Sequence, residues 1–429
     1  MTAEGGRHFS WEVVRQWRKL PPAGAPLTTM DVLHGICGLF GERHYKRKVE
    51  SEMKAMLGVR ELFFVSSGKA ALTLILKALK SRSPRREVVI PAYTCYSVPS
   101  AVIKAELDVV LCDIDPATFD FKADQLEAVV TEKTLCVVCN HLFGIPSDLN
   151  RLQALCRERG VSLVEDVAQA MGGTCGGRPL GTIGDAGFFS FGRGKNVTCG
   201  TGGAVATNSR TVAEAIRPFY EDLEYPGLLE TMKDLIGVGL TALFIHPALY
   251  RFPSRLPFLK LGQTFFDREF PIKKLSGMKL GLLARWRERL DKANKKRRES
   301  ANYFLMRSST AREVSTSVSY LRLPILMESP AARDQLLALA EGRGWGFSAM
   351  YPAPINEIEE IRSMFAGKAY PSAKVISERL VTIPTHPGLT ETDRKKIGDH
   401  LATLRSAGVS ENGRRGVYVD TEARRTEAG

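Results

Sequence analysis

No uncharged run in this 429-residue sequence reaches the ~20 residues that a membrane-spanning helix needs. The longest, LIGVGLTALFIHPALY from Leu235 to Tyr250, is also interrupted by His246 and Pro247. Cysteine is sparse too: the eight present are unevenly spaced and mostly sit in apolar runs, so they read as buried thiols rather than a disulfide framework. The one close pair, Cys136 and Cys139 in TLCVVCNHL, has no second pair to complete a metal site; it reads as core, and no metal is expected. The start, MTAEGGRHFSWEVV, lacks the basic, apolar and small-residue sections of a secretory signal. A cytoplasmic protein is expected. Internal repeats and low-complexity tracts are also missing.

What is present is an ordinary folded composition, 44% apolar and 25% charged, with a formal charge of +13. That excess alone suits nucleic acid, an anionic lipid face or an anionic small molecule. Much of it lies in RWRERLDKANKKRRES, Arg285 to Ser300, where acids alternate with bases at helical spacing and no series of stacking aromatics is interleaved. This reads as a solvated helix face, and nucleic acid is not expected as a partner. The segment RFPSRLPFLKLG, which follows the longest apolar run, mixes apolar with basic residues. It leaves two readings open: a buried hairpin or dimer contact, or a weak peripheral contact with an anionic membrane face.

From residue 60 to 210 short apolar runs alternate with helical patterns, as in LFFVSS then KAALTLILKALK, and EVVIPAY then SVPSAVIKA. Continuous apolar strands separated by helices predict an α/β fold: a three-layer αβα domain around a mostly parallel sheet. Residues 1–300 are assigned to an N-terminal arm and this large domain, with an apolar, basic insert near 225–268. Shorter units over 301–405 predict a smaller α+β C-terminal domain, and 406–429, rich in charge and poor in large apolar residues, a disordered tail. Ligands of such sheets gather beyond the carboxyl ends of the strands. Those ends carry Ser66 to Lys69, Pro91 to Cys95, His141, Asp166 to Gln169, and Lys195.

Lys195 lies among glycines in SFGRGKNVTCGTGG. A phosphate-gripping Walker loop requires Ser or Thr after the lysine and a glycine at 189; the chain has Asn196 and Phe189. A dinucleotide loop fails as well, since GRGKNV ends in valine. Covalent chemistry asks instead for a lysine amine able to form an imine and a carboxylate to keep a cofactor's pyridine nitrogen protonated. In VSLVEDVAQAMGG an apolar strand runs into Asp166, which either supplies that carboxylate or caps the next turn. Ser66-Ser67-Gly68 joins a strand to a long helix, where free N–H groups would meet a phosphate.

The turn SSGKAAL, with VVIPAYTCYS, CDIDPATFD, NHLFGIPSDLNRL, VEDVAQAMGG, GTIGDAGFFSFGRGKN and IPTHPGLTETD, resembles the DegT/StrS family of pyridoxal-phosphate-dependent sugar aminotransferases from about residue 45 to 405. The resemblance implies the aspartate aminotransferase fold, a homodimer, and pyridoxal 5′-phosphate as cofactor. Lys195 looks like the Schiff-base lysine, Asp166 the partner of the ring nitrogen and Gln169 the contact of the ring oxygen. Gly68 and Lys69 would give backbone N–H groups, and Ser190 its hydroxyl, to the phosphate. A related branch that deoxygenates sugars replaces the lysine by histidine, so Lys195 favours amino transfer from an amino acid such as glutamate to a keto-sugar, expected to be nucleotide-linked.

Three positions depart from the family pattern. Lys69 replaces a small or hydroxylated residue, Cys95 stands where an aromatic ring commonly stacks on the cofactor, and Lys273 and Lys274 occur where an asparagine is usual. Tyr93 and Tyr96 are candidates to replace the missing ring. With the insert, these departures motivate an alternative: a non-catalytic or membrane-associated cofactor-binding homologue.

Overall fold

The computed structural model describes residues 18–256, 264–307 and 318–406. Its centre is a seven-stranded sheet that runs, edge to edge, from the strand Glu61–Val65 through Gly203–Thr207, Ala186–Ser190, Ser162–Asp166, Thr134–Asn140 and Glu87–Pro91 to Asp108–Cys112. The strands are β1 (Glu61–Val65), β2 (Glu87–Pro91), β3 (Asp108–Cys112), β4 (Thr134–Asn140), β5 (Ser162–Asp166), β8 (Ala186–Ser190) and β9 (Gly203–Thr207); β6 (Thr174–Cys175) and β7 (Arg178–Pro179) form a separate small hairpin. Strands β2 to β5 and β8 pair in parallel, and β9 runs antiparallel to both of its neighbours, β8 and β1.

Both faces of this sheet are covered, which is why its strands lack polar alternation. One layer contains α3 (Gly68–Lys80), α4 (Ser97–Lys104) and α7 (Arg210–Glu221). The other contains α2 (Glu42–Leu57), α5 (Ala123–Val129), α6 (Leu149–Arg159), α10 (Gly277–Leu282) and the start of α11 (Trp286–Leu305). Side chains three apart on a strand face opposite ways. Cys136 and Cys139 accordingly pack into opposite layers and cannot share an ion.

Helix α11 carries the charged run. Its outer face has the expected ladder, with Arg287 3.0 Å from Asp291 and Lys296 2.8 Å from Glu299. Its inner face buries Leu290, Ala293, Asn294, Arg297, Ala301 and Phe304, spaced by three and four. Arg297 is therefore a departure from the solvated reading. Beyond it, β10 (Arg322–Leu326) and β11 (Leu380–Pro384) pair antiparallel, accompanied by α12 (Pro330–Arg343), α13 (Pro371–Arg379) and α14 (Glu391–Ser406). The expected tail lies, after Ser406, outside the described residues.

The apolar run from Leu235 is not a buried hairpin. It forms most of α8 (Leu228–Phe244), followed by the short α9 (Arg251–Ser254). Only Thr231 and Val238 of α8 are buried, while Leu228, Leu229, Met232, Ile236, Leu240 and Leu243 are exposed. The helix can lie this way because Glu230 pairs with Lys273 at 2.6 Å and Asp234 with Lys279 at 2.5 Å, fixing its polar side to the body. Residues 257–263 of the same segment lie outside the described residues.

Candidate active site

The sheet register brings one set of expected residues together. Val65 at the end of β1 and Ser190 at the end of β8 are both paired with Gly203 at the start of β9. The turn into α3 consequently lies against Ser190. A Cβ on Gly203 would stand 2.4 Å from the Ser67 carbonyl oxygen and 2.8 Å from the Gly68 nitrogen, and one on Gly68 would stand 2.9 Å from the Ser190 Cβ. Glycine is the residue that permits this approach. Ser67 caps the helix, its Oγ accepting from the Ala70 N–H at 3.1 Å. The N–H groups of Gly68 and Lys69 make no hydrogen bond among the described residues. With the positive end of a 13-residue helix behind them, they form an anion cradle.

The Lys69 side chain is already engaged. Its Nζ lies 2.6 Å from Asp267 and 4.3 Å above the Phe270 ring. Both partners belong to the stretch leading to Lys273, which is tied to the same turn: the Ser66 N–H donates to the Lys273 carbonyl at 2.9 Å, and Ser66 Oγ to the Pro271 carbonyl at 3.2 Å. Lys273 and Lys274, at the departure from the family pattern, thus turn toward Glu230 and the Glu221 carbonyl.

At the end of β5, Glu165 and Asp166 face opposite ways and meet different fates. Burial pushes Glu165 up, but it accepts from His141 Nε2 and from the N–H groups of Gly181, Ile183 and Gly184, and the net shift is downward. Because His141 Nδ1 accepts from the Ser147 N–H, Nε2 carries the ring proton and donates it to Glu165. Asp166 is 4% exposed, and one oxygen accepts from the Ala168 N–H at 2.9 Å. Burial raises its pKa, and the Ala168 N–H, Lys195 and His141 only partly offset this. No cation lies within ion-pair distance of Asp166 among the described residues. Such a carboxylate is costly to keep ionised, and a protonated ring nitrogen is the kind of partner that would relieve it.

Lys195 is half-buried on the turn after β8, within electrostatic reach of Asp166. Gly194 precedes it in the left-handed region, at φ 73°, which favours glycine. Gln169 is buried: its Oε1 accepts from the Phe143 N–H at 3.1 Å and its Nε2 donates to the Tyr351 hydroxyl at 2.9 Å. Cys95 accepts from Ser97 Oγ at 3.0 Å and lies 3.6 Å from Thr264 Oγ1. Tyr93 and Tyr96 have another task. The Tyr93 hydroxyl accepts from the Tyr351 N–H at 3.3 Å, and the Tyr96 hydroxyl accepts from the Ala353 N–H at 3.1 Å. They hold the 351–353 stretch against the sheet.

Sequence reasoning missed Tyr351 and Arg297. Neither has a local signal: Tyr351 sits in a loop sequence, AMYPAP, and Arg297 is one cation in a run of them.

The pattern of the DegT/DnrJ/EryC1/StrS aminotransferase family matches residues 37–236 and 274–402. The chain belongs to this aminotransferase family. The unmatched interval, 237–273, falls largely within the insert expected near 225–268. A UDP-N-acetyl-3-dehydro-alpha-D-glucosamine 3-aminotransferase of Acidithiobacillus ferrooxidans is 27% identical over 369 residues, covering 82% of this chain and 86% of that one. A pleiotropic regulatory protein of Geobacillus stearothermophilus is 26% identical over 372 residues, covering 83% and 88%. Among solved structures, the Helicobacter pylori aminotransferase PseC, involved in pseudaminic acid biosynthesis, superimposes with a TM-score of 0.72 at 17% identity, covering 91% of this chain and 100% of that one. That likeness is one of fold. Enzymes of the family are pyridoxal-phosphate-dependent.

Proposed function

We propose that this aminotransferase moves an amino group from an amino acid, glutamate or a close analogue, to a nucleotide-linked keto-sugar. The observation that carries the reading is Asp166: a buried carboxylate without an ion-pair partner among the described residues, at the same sheet edge as Lys195 and the anion cradle. The acceptor class is supported by the UDP-linked sugar in the name of the Acidithiobacillus relative.

In this reading Gly68 and Lys69 give their N–H groups, and Ser190 its hydroxyl, to the phosphate. Asp166 holds a proton on the ring nitrogen, and Gln169 contacts the ring oxygen. Pyridoxal phosphate, when bound, supplies an electron sink and carries the amino group between donor and acceptor. The Lys195 amine is the group that would hold the cofactor covalently, and as a free base it would move the proton at the donor's α-carbon. Burial around Asp166 and Gln169 keeps competing water from those two contacts.

We further take residues up to 300 as the cofactor-bearing domain and 301–405 as the smaller one. The protein is read as a cytoplasmic homodimer, supported by the exposed apolar side chains of α8 and of α1 (Thr29–Gly38). No helix among the described residues is long and apolar enough to cross a membrane. Purified protein is expected to show an absorbance band of bound cofactor that glutamate bleaches and a keto-sugar nucleotide restores. Persistence of the band in Lys195→Ala, or no response to any amino donor, would overturn the reading.

A further inference from the structure

The contact residue expected for the cofactor's ring oxygen, Gln169, is held from two sides. The Phe143 N–H can only donate, so the amide oxygen of Gln169 must face it, and Nε2 must face the other way. There it meets the hydroxyl of Tyr351 at 2.9 Å, a residue 182 positions further along the chain. A glutamine amide has two N–H bonds. One is taken by Tyr351, and the second has no acceptor among the described residues.

Both holders are themselves forced into place. Phe143 has φ 61°, and Met350, which directly precedes Tyr351, has φ 66°; each is a non-glycine residue in the left-handed region. Such strain persists only where the surroundings over-determine it. The surroundings do so at Tyr351: the Tyr93 hydroxyl accepts from its N–H, and its ring stacks with that of Tyr96 at 6.4 Å and 27°. Burial, with Cys95, Tyr93 and Asp166 nearby, raises the Tyr351 phenol well above its ordinary range, so it stays a neutral hydroxyl able to accept from Gln169.

We infer that Tyr351 is a positioning residue of the cofactor site: by accepting one N–H of the Gln169 amide it fixes that amide and reserves the other N–H for the cofactor's ring oxygen. This rests on the functional reading above. It also makes the C-terminal elements part of the cofactor site, because Tyr351 reaches Gln169 from beyond α12, and it gives the site an aromatic side chain that Cys95 does not supply.

The test compares holoprotein of Tyr351→Phe, Gln169→Leu and the double variant, reading the pH midpoint of the bound cofactor's absorbance change and the cofactor's dissociation constant. Tyr351→Phe keeps the ring against Tyr93 and Tyr96 and removes one hydroxyl. Its midpoint should move by about half a pH unit, in the same direction as in Gln169→Leu, with binding weakened about threefold. The double variant should match Gln169→Leu alone. A normal midpoint in Tyr351→Phe beside a shifted one in Gln169→Leu would overturn the inference, as would tighter binding. If Gln169→Leu is also normal while Lys195→Ala still abolishes the band, the inference falls and the wider reading stands; if Lys195→Ala keeps the band, both fall.

Discussion

The guanidinium of Arg297 donates to the backbone carbonyl of Lys195 at 3.3 Å, from the middle of a helix that otherwise reads as solvated. It also donates to the carbonyls of Gly24 at 3.2 Å and Asn196 at 3.4 Å and to Asn294 Oδ1 at 3.1 Å. The side chain is fully buried, and no carboxylate lies within ion-pair distance among the described residues. Burial lowers its pKa to about 10, which leaves it charged at neutral pH.

Arg297→Lys is therefore expected to be more damaging than its chemistry suggests. Lysine keeps the charge but loses the planar fork that serves four acceptors at once. Stability should fall by about 2–4 kcal/mol, and cofactor binding should weaken because the Lys195 turn loses its anchor. Denaturation of the cofactor-free protein checks the first effect and cofactor titration the second. Lys296→Ala, one residue away on the exposed side, should change stability by less than about 0.5 kcal/mol. Equal effects of the two substitutions would refute the anchoring role.

A second prediction concerns acid. His386 is buried, with Nε2 donating to the Pro21 carbonyl at 2.9 Å and Nδ1 accepting from the Gly388 N–H at 3.1 Å. Burial lowers its pKa from 6.5 to about 4, with Arg297, Arg322 and Arg18 adding to the effect and the Pro21 carbonyl opposing it. Below pH 6.5 the unfolded chain takes up a proton that the folded one refuses, so stability falls progressively until about pH 4 and the loss is then complete. The full effect is on the order of 3 kcal/mol. Melting curves of wild type and His386→Gln should converge as the pH drops from 7 to 4, since glutamine removes this titration. Parallel curves would show that His386 is not responsible.

The gathering of the candidate residues was legible because they lie where apolar strands end. Asp166, Gln169, Ser190, Lys195 and the Gly68 turn all follow short apolar runs, and the parallel sheet gathers such ends at one edge. What escaped depends on long-range partners. The Lys69 ammonium, which stands where the family pattern has a small or hydroxylated residue, is paired with Asp267, 198 residues away. Tyr351 and Arg297 act through hydrogen bonds across 182 and 102 residues, and no periodicity reports such pairs. For α8, hydrophobicity suggested burial, yet the helix is held by ion pairs on its polar side and leaves its apolar row outward.

The closeness of Gly203 to the cradle supplies a third test. Gly203→Ala would drive a methyl group into the Ser67 carbonyl and the Gly68 nitrogen, moving the N–H groups proposed to meet the phosphate. Cofactor affinity should drop at least about tenfold, with inorganic phosphate losing its ability to compete for the site. Gly239→Ala on α8 is the control: nothing stands within 4 Å of its added methyl, and alanine in a helix is favoured by about 0.5–1 kcal/mol. If both variants bind the cofactor normally, the cradle at Gly68 and Lys69 is not where the phosphate sits.

The last prediction addresses the outward row on α8. Met232, Ile236, Leu240 and Leu243 recur at helical spacing on one side, and α1, which packs beside α8, exposes Met30, Leu33 and Ile36. Covering a leucine or isoleucine fully is worth about 1.5–3 kcal/mol, so this face holds enough to drive association of two copies. Ile236 and Leu240 are 61% and 52% exposed, hence Ile236→Asp/Leu240→Asp should leave the fold intact. Sedimentation should give a dimer for the wild type and a monomer for the double variant at micromolar concentration, with unchanged circular dichroism. A wild-type monomer that floats with anionic vesicles, and loses that property in the double variant, would instead assign the row to a lipid surface and remove the homodimer reading.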